Sequence, residues 1–195
     1  MAPTPRLPRE ERRTQLMEAA ASAFRSRGFD GTSMDDIAQA AGVTRLILYR
    51  NFGTKEELYR EVIRRVLGEI GNAFQGLTFE QVADIGAARV ILPVARANPD
   101  SFRLLWRDTS RQPLFADLAT EFMTYVAVYA RAIMAVYVDD DLLLDWAART
   151  AGAHLVEGIC NWLDDGDQAR DDEIVARMTD GLRALATAWL RPVPG

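Results

Sequence analysis

Apolar residues recur along most of the chain at intervals of three and four, the spacing of one face of an α-helix. The first such segment covers about residues 9–27, and Gly28 follows it as a helix-ending glycine. A later segment, 79–97, is predicted as one helix that Pro93 kinks or breaks. We find no alternating strand pattern, so the sequence predicts an all-α protein of about nine helices.

Three short helices are predicted before residue 53. Ser33 begins a capping box ahead of the second helix, Gly42 supplies a turn, and Thr44 caps the third helix. Two helices joined by such a turn form a helix-turn-helix, whose second helix enters the major groove of DNA. The motif covers about 33–52, inside a predicted DNA-binding domain over 9–70.

The third helix is predicted to be amphipathic. Leu48 and Phe52 lie four residues apart and are expected to pack inward. The opposite face carries donors for phosphates and base edges, namely Thr44, Arg45, Tyr49, Arg50 and Asn51. We also expect Thr32 and Ser33, just ahead of the second helix, to contact DNA.

The charge is divided unevenly along the chain. Residues 1–60 carry ten basic and eight acidic side chains, whereas 61–195 carry thirteen and twenty, within an overall net charge of −5. A basic first third permits local DNA contact while the acidic remainder is repelled. This division is compatible with DNA binding, although it is a weak signal on its own.

Several residues in fixed order resemble the TetR family of bacterial transcriptional regulators. They are Ala19-Ala20, Phe24, Gly28-Phe29, Thr32-Ser33, Asp36-Ile37-Ala38, Ala41-Gly42-Val43-Thr44, Leu48-Tyr49, Asn51-Phe52 and Lys55-Glu56. The motif resemblance ends near residue 60. It implies a homodimer that binds a double-stranded operator with an inverted repeat. It also implies a C-terminal domain, 71–195, that binds a small-molecule effector and dimerises.

The resemblance implies roles for individual residues. Thr44, Tyr49 and Lys55 would contact backbone phosphates, and Arg45 and Arg50 would read bases. Lys55 also lies in the first turn of a helix predicted to begin at Thr54, where the helix dipole disfavours a cation and a phosphate would offset that cost. The alternatives are a solvated Lys55 and a Tyr49 ring packed on the first helix.

Leu46 and Ile47 depart from the family, which commonly has small residues or threonine at these positions. We expect Leu46 to point outward, where it could meet thymine methyl groups. Ile47 could point either way, toward DNA or into the core.

Aromatic residues are frequent in the C-terminal domain, and such residues can line an apolar cavity between helices. The candidates for an effector pocket are Phe102, Trp106, Phe122, Tyr125, Tyr129 and Trp146. Each could instead fill an ordinary core. Arg103, Arg107 and Arg131 are candidates to orient an anionic ligand, with ion pairing or solvation as the alternative.

The last two predicted helices each carry an apolar stripe. One stripe contains Gly152, Leu155, Ile159 and Trp162, and the other contains Met178, Leu182, Leu185 and Trp189. By resemblance, these helices from two subunits would form a four-helix dimer interface. Both stripes could instead face the core of their own subunit.

Other functions have little support in the sequence. His154 and Cys160, the single histidine and cysteine, point in different directions on a predicted helix, and no known nucleotide or nucleophile motif is present. We therefore expect no metal, no cofactor and no enzymatic activity. No run of ~18 apolar residues occurs, which predicts no membrane span, and the first thirty residues carry no apolar block of signal-peptide type, so we expect a cytoplasmic location. Repressor, activator and ligand-independent regulator remain alternatives, with an all-helical enzyme more remote.

Overall fold

The computed structural model describes residues 9–135 and 140–189, and every regular element in this part of the chain is helical. The α-helices are α1 (Arg9–Arg27), α2 (Met34–Ala40), α3 (Arg45–Phe52), α4 (Lys55–Phe74), α5 (Phe79–Ile85), α6 (Ala87–Ala97), α7 (Pro99–Arg103), α8 (Ala116–Met134), α9 (Asp141–Asp165) and α10 (Asp171–Trp189). A π-helical turn, Leu104–Asp108, follows α7 directly, and the short 3₁₀ turns are Thr109–Arg111, Pro113–Phe115 and Gln168–Arg170. The all-α prediction is confirmed, with ten α-helices in the described residues.

The expected single helix over 79–97 is divided at Gly86, which corrects the prediction of a break at Pro93. Gly86 has a φ of +84°, a conformation that L side chains rarely adopt. A Cβ atom there would lie 2.0 Å from the Thr179 hydroxyl oxygen, so the bare backbone also permits close packing on α10. Pro93 lies inside α6 and leaves that helix continuous.

The main hydrophobic core extends from α1 to α10, and a second, smaller cluster contains Met134, Leu144, Ala151 and Ala186. Residue 70, the predicted end of the first domain, lies inside α4, and α4 packs against both α1 and α6. The helices of the predicted DNA-binding domain and those of the predicted C-terminal domain therefore both pack against α4.

Three buried rings join the N-terminal helices to the start of α8, and we call them the aromatic junction: Phe29, Tyr59 and Phe115. The Phe115 ring stacks on Tyr59 with centroids 4.1 Å apart and meets Phe29 edge-on at 4.9 Å. The Tyr59 hydroxyl lies 3.1 Å from the Thr109 hydroxyl. Burial raises the pKa of Tyr59 to about 12.

No helix within 9–135 or 140–189 is both long and apolar enough to cross a bilayer. In the same ranges, no three histidine, cysteine, aspartate or glutamate residues come together in a way that could hold a metal ion.

Candidate nucleic-acid interface and ligand cavity

The inner face of α3 is fixed to the core by apolar and cationic contacts. Leu48 is fully buried and Phe52 nearly so, as predicted. The Arg13 guanidinium lies 4.4 Å from the centre of the Phe52 ring and donates a hydrogen bond to the Asn51 carbonyl oxygen at 2.7 Å. Because α1 and the core hold this face, the other face of α3 is left in water.

The outer face of α3 presents Arg45, Leu46, Tyr49 and Arg50. Leu46 is 56% exposed, as expected for an outward side chain. Arg45 donates to Asp35 at 2.9 Å and to the Tyr49 hydroxyl at 3.2 Å, and these two partners raise its pKa. Tyr49 is therefore paired with Arg45 at the surface.

Ile47, whose direction the sequence left open, is partly buried and packs against the core. It follows Leu46 by one position, and consecutive helical residues point about 100° apart, so one of the two faces inward while the other faces outward. Ile47 therefore helps to fix α3 to the core.

The side chains of three expected DNA contacts form hydrogen bonds with other groups of the same chain. Thr32 is only 2% exposed, and its hydroxyl donates to the Gly28 carbonyl at 2.7 Å, so the expectation of a DNA contact at Thr32 is wrong. The Ser33 hydroxyl caps α2 in a reciprocal arrangement with Asp36. The Asn51 side-chain amide donates to the Ile47 carbonyl at 2.7 Å. Ser33 and Asn51 thus stabilise helix ends.

Thr44, another predicted DNA contact, is exposed at the N-terminus of α3. Its backbone has the extended conformation of a helix cap, but its hydroxyl makes no capping hydrogen bond. The hydroxyl is therefore open to a partner such as a phosphate oxygen.

Lys55 has partners that the sequence did not indicate. Its ammonium group donates to the carbonyl oxygens of Phe29 at 2.9 Å and Thr32 at 3.0 Å, and lies 4.2 Å from the centre of the Phe29 ring. These contacts correct the argument that a cation at this helix terminus needs a phosphate. Two carbonyls and a ring face supply the compensation, and they fix the α1–α2 loop to α4.

A cavity of about 320 Å³ lies between α4, α5, α6, α8, α9 and α10. Small residues make room for it, including Gly71, Ala88, Ala130 and Ala151. Of the six aromatic residues predicted for an effector pocket, Phe122, Tyr125 and Tyr129 line this cavity. Its size is near the lower end of the ~300–1,000 Å³ typical of ligand pockets.

The other three aromatic residues lie outside the cavity lining, which corrects the prediction. Phe102 is fully buried in the core. Trp106 donates its indole N–H to Glu157 and meets Phe122 edge-on from outside the cavity. Trp146 is 44% exposed and packs against Trp189.

The three arginines considered for an anionic ligand form ion pairs within the chain. Arg103 and Arg107 both pair with Asp164, each at 2.6 Å, and Arg107 also pairs with Glu157. Arg131 pairs with Asp141 at 2.7 Å and with Asp145. None of the three lines the cavity.

The predicted dimer stripe on α9 faces largely inward within its own chain. Ile159 is fully buried, Leu155 lines the cavity, and a Cβ on Gly152 would lie 2.3 Å from a Val126 methyl group. These three residues are thus buried within their own chain, which argues against a central role in a contact with a second subunit. Trp162 is half-buried and donates its indole N–H to Asp171 at 2.7 Å.

The stripe on α10 is less covered. Met178, Leu182 and Trp189 are half-buried, and Leu185 is 36% exposed. In the groove between α9 and α10, Gly158 is half-buried against Met178, and Asn161 is exposed. Gly181, between Met178 and Leu185, is also exposed. An apolar surface with small residues beside it permits close approach of another helix.

Sequence reasoning missed two residues that organise these sites. Arg13 secures the end of α3, and Arg183 lines the cavity. In the sequence both read as residues of a solvated helix face. The one available signal for Arg183 is its position one turn after Thr179 and beside the apolar Leu182.

The fold and the exposed face of α3 define a protein of the helix-turn-helix DNA-binding class. The model of the family described as bacterial regulatory proteins, tetR family, matches residues 16–62. The transcriptional activator FasR of Mycolicibacterium smegmatis is 28% identical over 151 residues, which are 75% of this chain and 64% of that protein. The transcriptional repressor KstR2 of Rhodococcus jostii is 41% identical over 59 residues, 30% of this chain and 29% of the repressor.

A solved structure extends the likeness in fold to nearly the whole chain. A TetR-like transcriptional regulator from Rhodococcus sp. RHA1 superposes with a TM-score of 0.66 at 24% identity, covering 93% of this chain and 96% of that one. The chain spans less than two thirds of the length of the two relatives compared by sequence. Residues 16–62 thus match the tetR family of bacterial regulatory proteins, and the chain as a whole is similar to TetR-family transcriptional regulators in sequence and fold. These relatives are named as transcriptional regulators, in line with the expectation of a regulator.

Proposed function

We propose that the chain is a dimeric, sequence-specific regulator of transcription that acts as a repressor and leaves its operator when a small molecule occupies the cavity. The observation that carries this proposal is the pairing of an exposed α3 face with a cavity in the same continuous core. Arg45 and Arg50 on that face are the base-reading candidates, and Thr44 and Tyr49 are the phosphate contacts.

The aromatic junction supplies a physical connection between the two sites. Phe115 immediately precedes α8, and α8 contributes Phe122, Tyr125 and Tyr129 to the cavity wall. A ligand that displaces α8 would act on Phe115, and through its stacked ring on Tyr59 of α4 and Phe29 beside α2. A small shift of α3 relative to a two-fold partner would misalign the two reading helices with successive major grooves.

The half-covered stripe of α10, with α9 beside it, is our candidate dimer surface. Contiguous apolar surface that stays exposed to water marks association sites on soluble proteins. Leu155 and Ile159 are buried in their own chain. The surface we propose is therefore centred on Leu185 and on the exposed positions Asn161 and Gly181, rather than on the whole α9 stripe.

Selection of bound sequences from a random DNA pool tests the proposal. We expect an inverted repeat with half-site centres about one helical turn, or a multiple of it, apart. Leu185→Asp should halve the mass measured by light scattering and sharply weaken binding to the selected DNA, because a monomer reaches one half-site only. Val128→Asp, at an exposed position on α8, is the matched control. Recovery of a single unrepeated element, or a Leu185→Asp dimer with full affinity, would contradict the dimeric model.

An activator of the same architecture is the second candidate, since the relative FasR is described as a transcriptional activator. Transcription from a promoter that contains the selected sequence distinguishes the two. Repression requires that transcript levels fall when the protein is added, whereas activation requires that they rise.

A further inference from the structure

The wall of the cavity is unusual in the balance of its charges. Among residues 9–135 and 140–189, twenty-five line it, and none of these is an aspartate or glutamate. Of the described residues in the lining, Arg183 on α10 is the one with a charged side chain. A buried ligand cation would find no carboxylate partner in the wall, and an unpaired charge in apolar surroundings is costly.

Arg183 is held in place by backbone groups rather than by a carboxylate at hydrogen-bond distance. Its Nη2 atom donates to the carbonyl oxygens of Ala83 at 3.0 Å and Asp84 at 2.7 Å, near the end of α5. The nearest acid is Asp180, whose carboxylate oxygen is 3.7 Å from Nη1 and whose side chain is largely exposed to water. The Arg183 side chain is 43% exposed, so it lies at the open edge of the cavity, and within the described residues its Nε and Nη1 atoms have no acceptor at hydrogen-bond distance.

Two other polar groups in the wall are also open. The hydroxyls of Tyr125 and Tyr129 form no hydrogen bond with another group in the described part of the chain, whereas the Thr179 hydroxyl donates to the Val175 carbonyl. Tyr129 packs its ring against Phe74 at a centroid separation of 4.5 Å. The remaining lining is carbon-rich, so the body of a ligand must itself be apolar to be stabilised there.

We propose that the cavity binds a lipophilic molecule with one acidic group, and that this group pairs with Arg183. The proposal rests on the proposed function, because it names the chemical class of the effector for the same cavity. An anionic oxygen accepting from a guanidinium forms a charge-assisted hydrogen bond, stronger than any bond that a neutral ligand could form there. The tyrosine hydroxyls can add donors to the same acidic group or to a second polar atom.

Three probes with the same hydrocarbon tail test the charge preference: decanoate, 1-decanol and decyltrimethylammonium. Isothermal titration calorimetry of the full chain should give at least about tenfold tighter binding for decanoate than for decanol, and the weakest binding for the cation. Arg183→Met should remove the preference of decanoate over decanol and leave decanol affinity unchanged. Arg177→Met is the control, because Arg177 is exposed on α10 and pairs with Glu173 outside the cavity.

A cavity-filling variant separates failure of this proposal from failure of the proposed function. Ala130→Phe places a ring in the cavity and should abolish binding of all three probes, whereas Ala176→Phe, at an exposed position on α10, should not. Equal binding of decanoate and decanol, both blocked by Ala130→Phe, would overturn the acidic preference and leave the cavity as the effector site. If no probe binds, or if Ala130→Phe leaves binding intact, the cavity is not the site and both proposals fail.

Discussion

The outer face of α3 and the wall of the cavity are built in opposite ways. On α3, Arg45, Leu46 and Arg50 extend into water, and their usefulness lies in the groups that they carry. In the cavity, Gly71, Ala88 and other small residues matter because their small size leaves space between the helices. A DNA-binding surface therefore depends on which side chains a single helix carries, whereas a ligand cavity depends on how distant helices pack.

The first prediction tests whether these two regions form one cooperative unit. Phe115→Ala should lower the free energy of unfolding by about 3–5 kcal/mol, because the fully buried ring loses its stacking on Tyr59 and leaves a cavity. All four tryptophans lie between residues 106 and 189, so their fluorescence reports the C-terminal helices, while far-ultraviolet circular dichroism reports all helices. In urea, both signals should shift together.

Leu114→Ala is the control for that experiment. Leu114 is adjacent to Phe115 but largely exposed, so its truncation should change stability by no more than about 0.5 kcal/mol. A fluorescence transition that stays in place while the dichroism transition moves would show that the two regions unfold separately.

The second prediction concerns alkaline pH. Burial raises the pKa of Cys160 from 9.0 to about 12, and burial also raises that of Tyr59 from 10.0 to about 12. The folded chain thus keeps protons that the unfolded chain releases above pH 9. Stability should be insensitive to these groups below pH 9 and should fall by about 1–3 kcal/mol on going from pH 9 to pH 10.5.

Single variants divide the alkaline effect between the two regions. In the presence of a reducing agent, Cys160→Ala should remove the part that arises in α9, and Tyr59→Phe the part that arises at the aromatic junction. Urea unfolding at both pH values provides the measurement. A wild-type stability that rises with pH over this range would contradict the burial of both groups.

The third prediction, with the smallest expected effect, sharpens the comparison within the DNA-binding helices. Lys55→Met should lower the free energy of unfolding by about 1–2 kcal/mol, because the carbonyls of Phe29 and Thr32 lose their donor. Arg50→Met should leave stability within about 0.5 kcal/mol and weaken DNA binding instead, since Arg50 is exposed.

Salt dependence of DNA binding separates the two roles of Lys55. If Lys55 serves only the protein, the slope of log affinity against log salt should match the wild type. A slope reduced by about 0.9 in Lys55→Met would show that it also neutralises a phosphate.

The N-terminal helices were predictable because their signals are local. Capping residues such as Ser33, the turn at Gly42 and the four-residue spacing of Leu48 and Phe52 each act over one or two helical turns. The assignment of Thr32 to the DNA surface failed for a related reason. Its burial is decided by the carbonyls of Ala23 and Gly28, which the spacing pattern does not reveal.

The cavity was only partly predictable because it depends on contacts between distant segments. Tyr125 and Tyr129 line it and Trp146 does not, although all three are aromatic residues on amphipathic helices. What distinguishes them is the crossing of α8 with α4, α5 and α9, which no local pattern determines. The α9 stripe was likewise correctly predicted as an apolar face, but it packs largely against helices of its own chain rather than facing outward.

Lys55 is the single lysine in the chain, and this gives its contacts a chemical consequence. An amine-directed acylating reagent can reach the side-chain nitrogen only when the bonds to Phe29 and Thr32 open and the group leaves the Phe29 ring. The rate of acylation at this one position therefore records how often the Lys55 side chain leaves these partners in the α1–α2 loop. Peptide mass spectrometry can follow the extent of Lys55 acylation over time, so these opening motions can be measured without introducing a label.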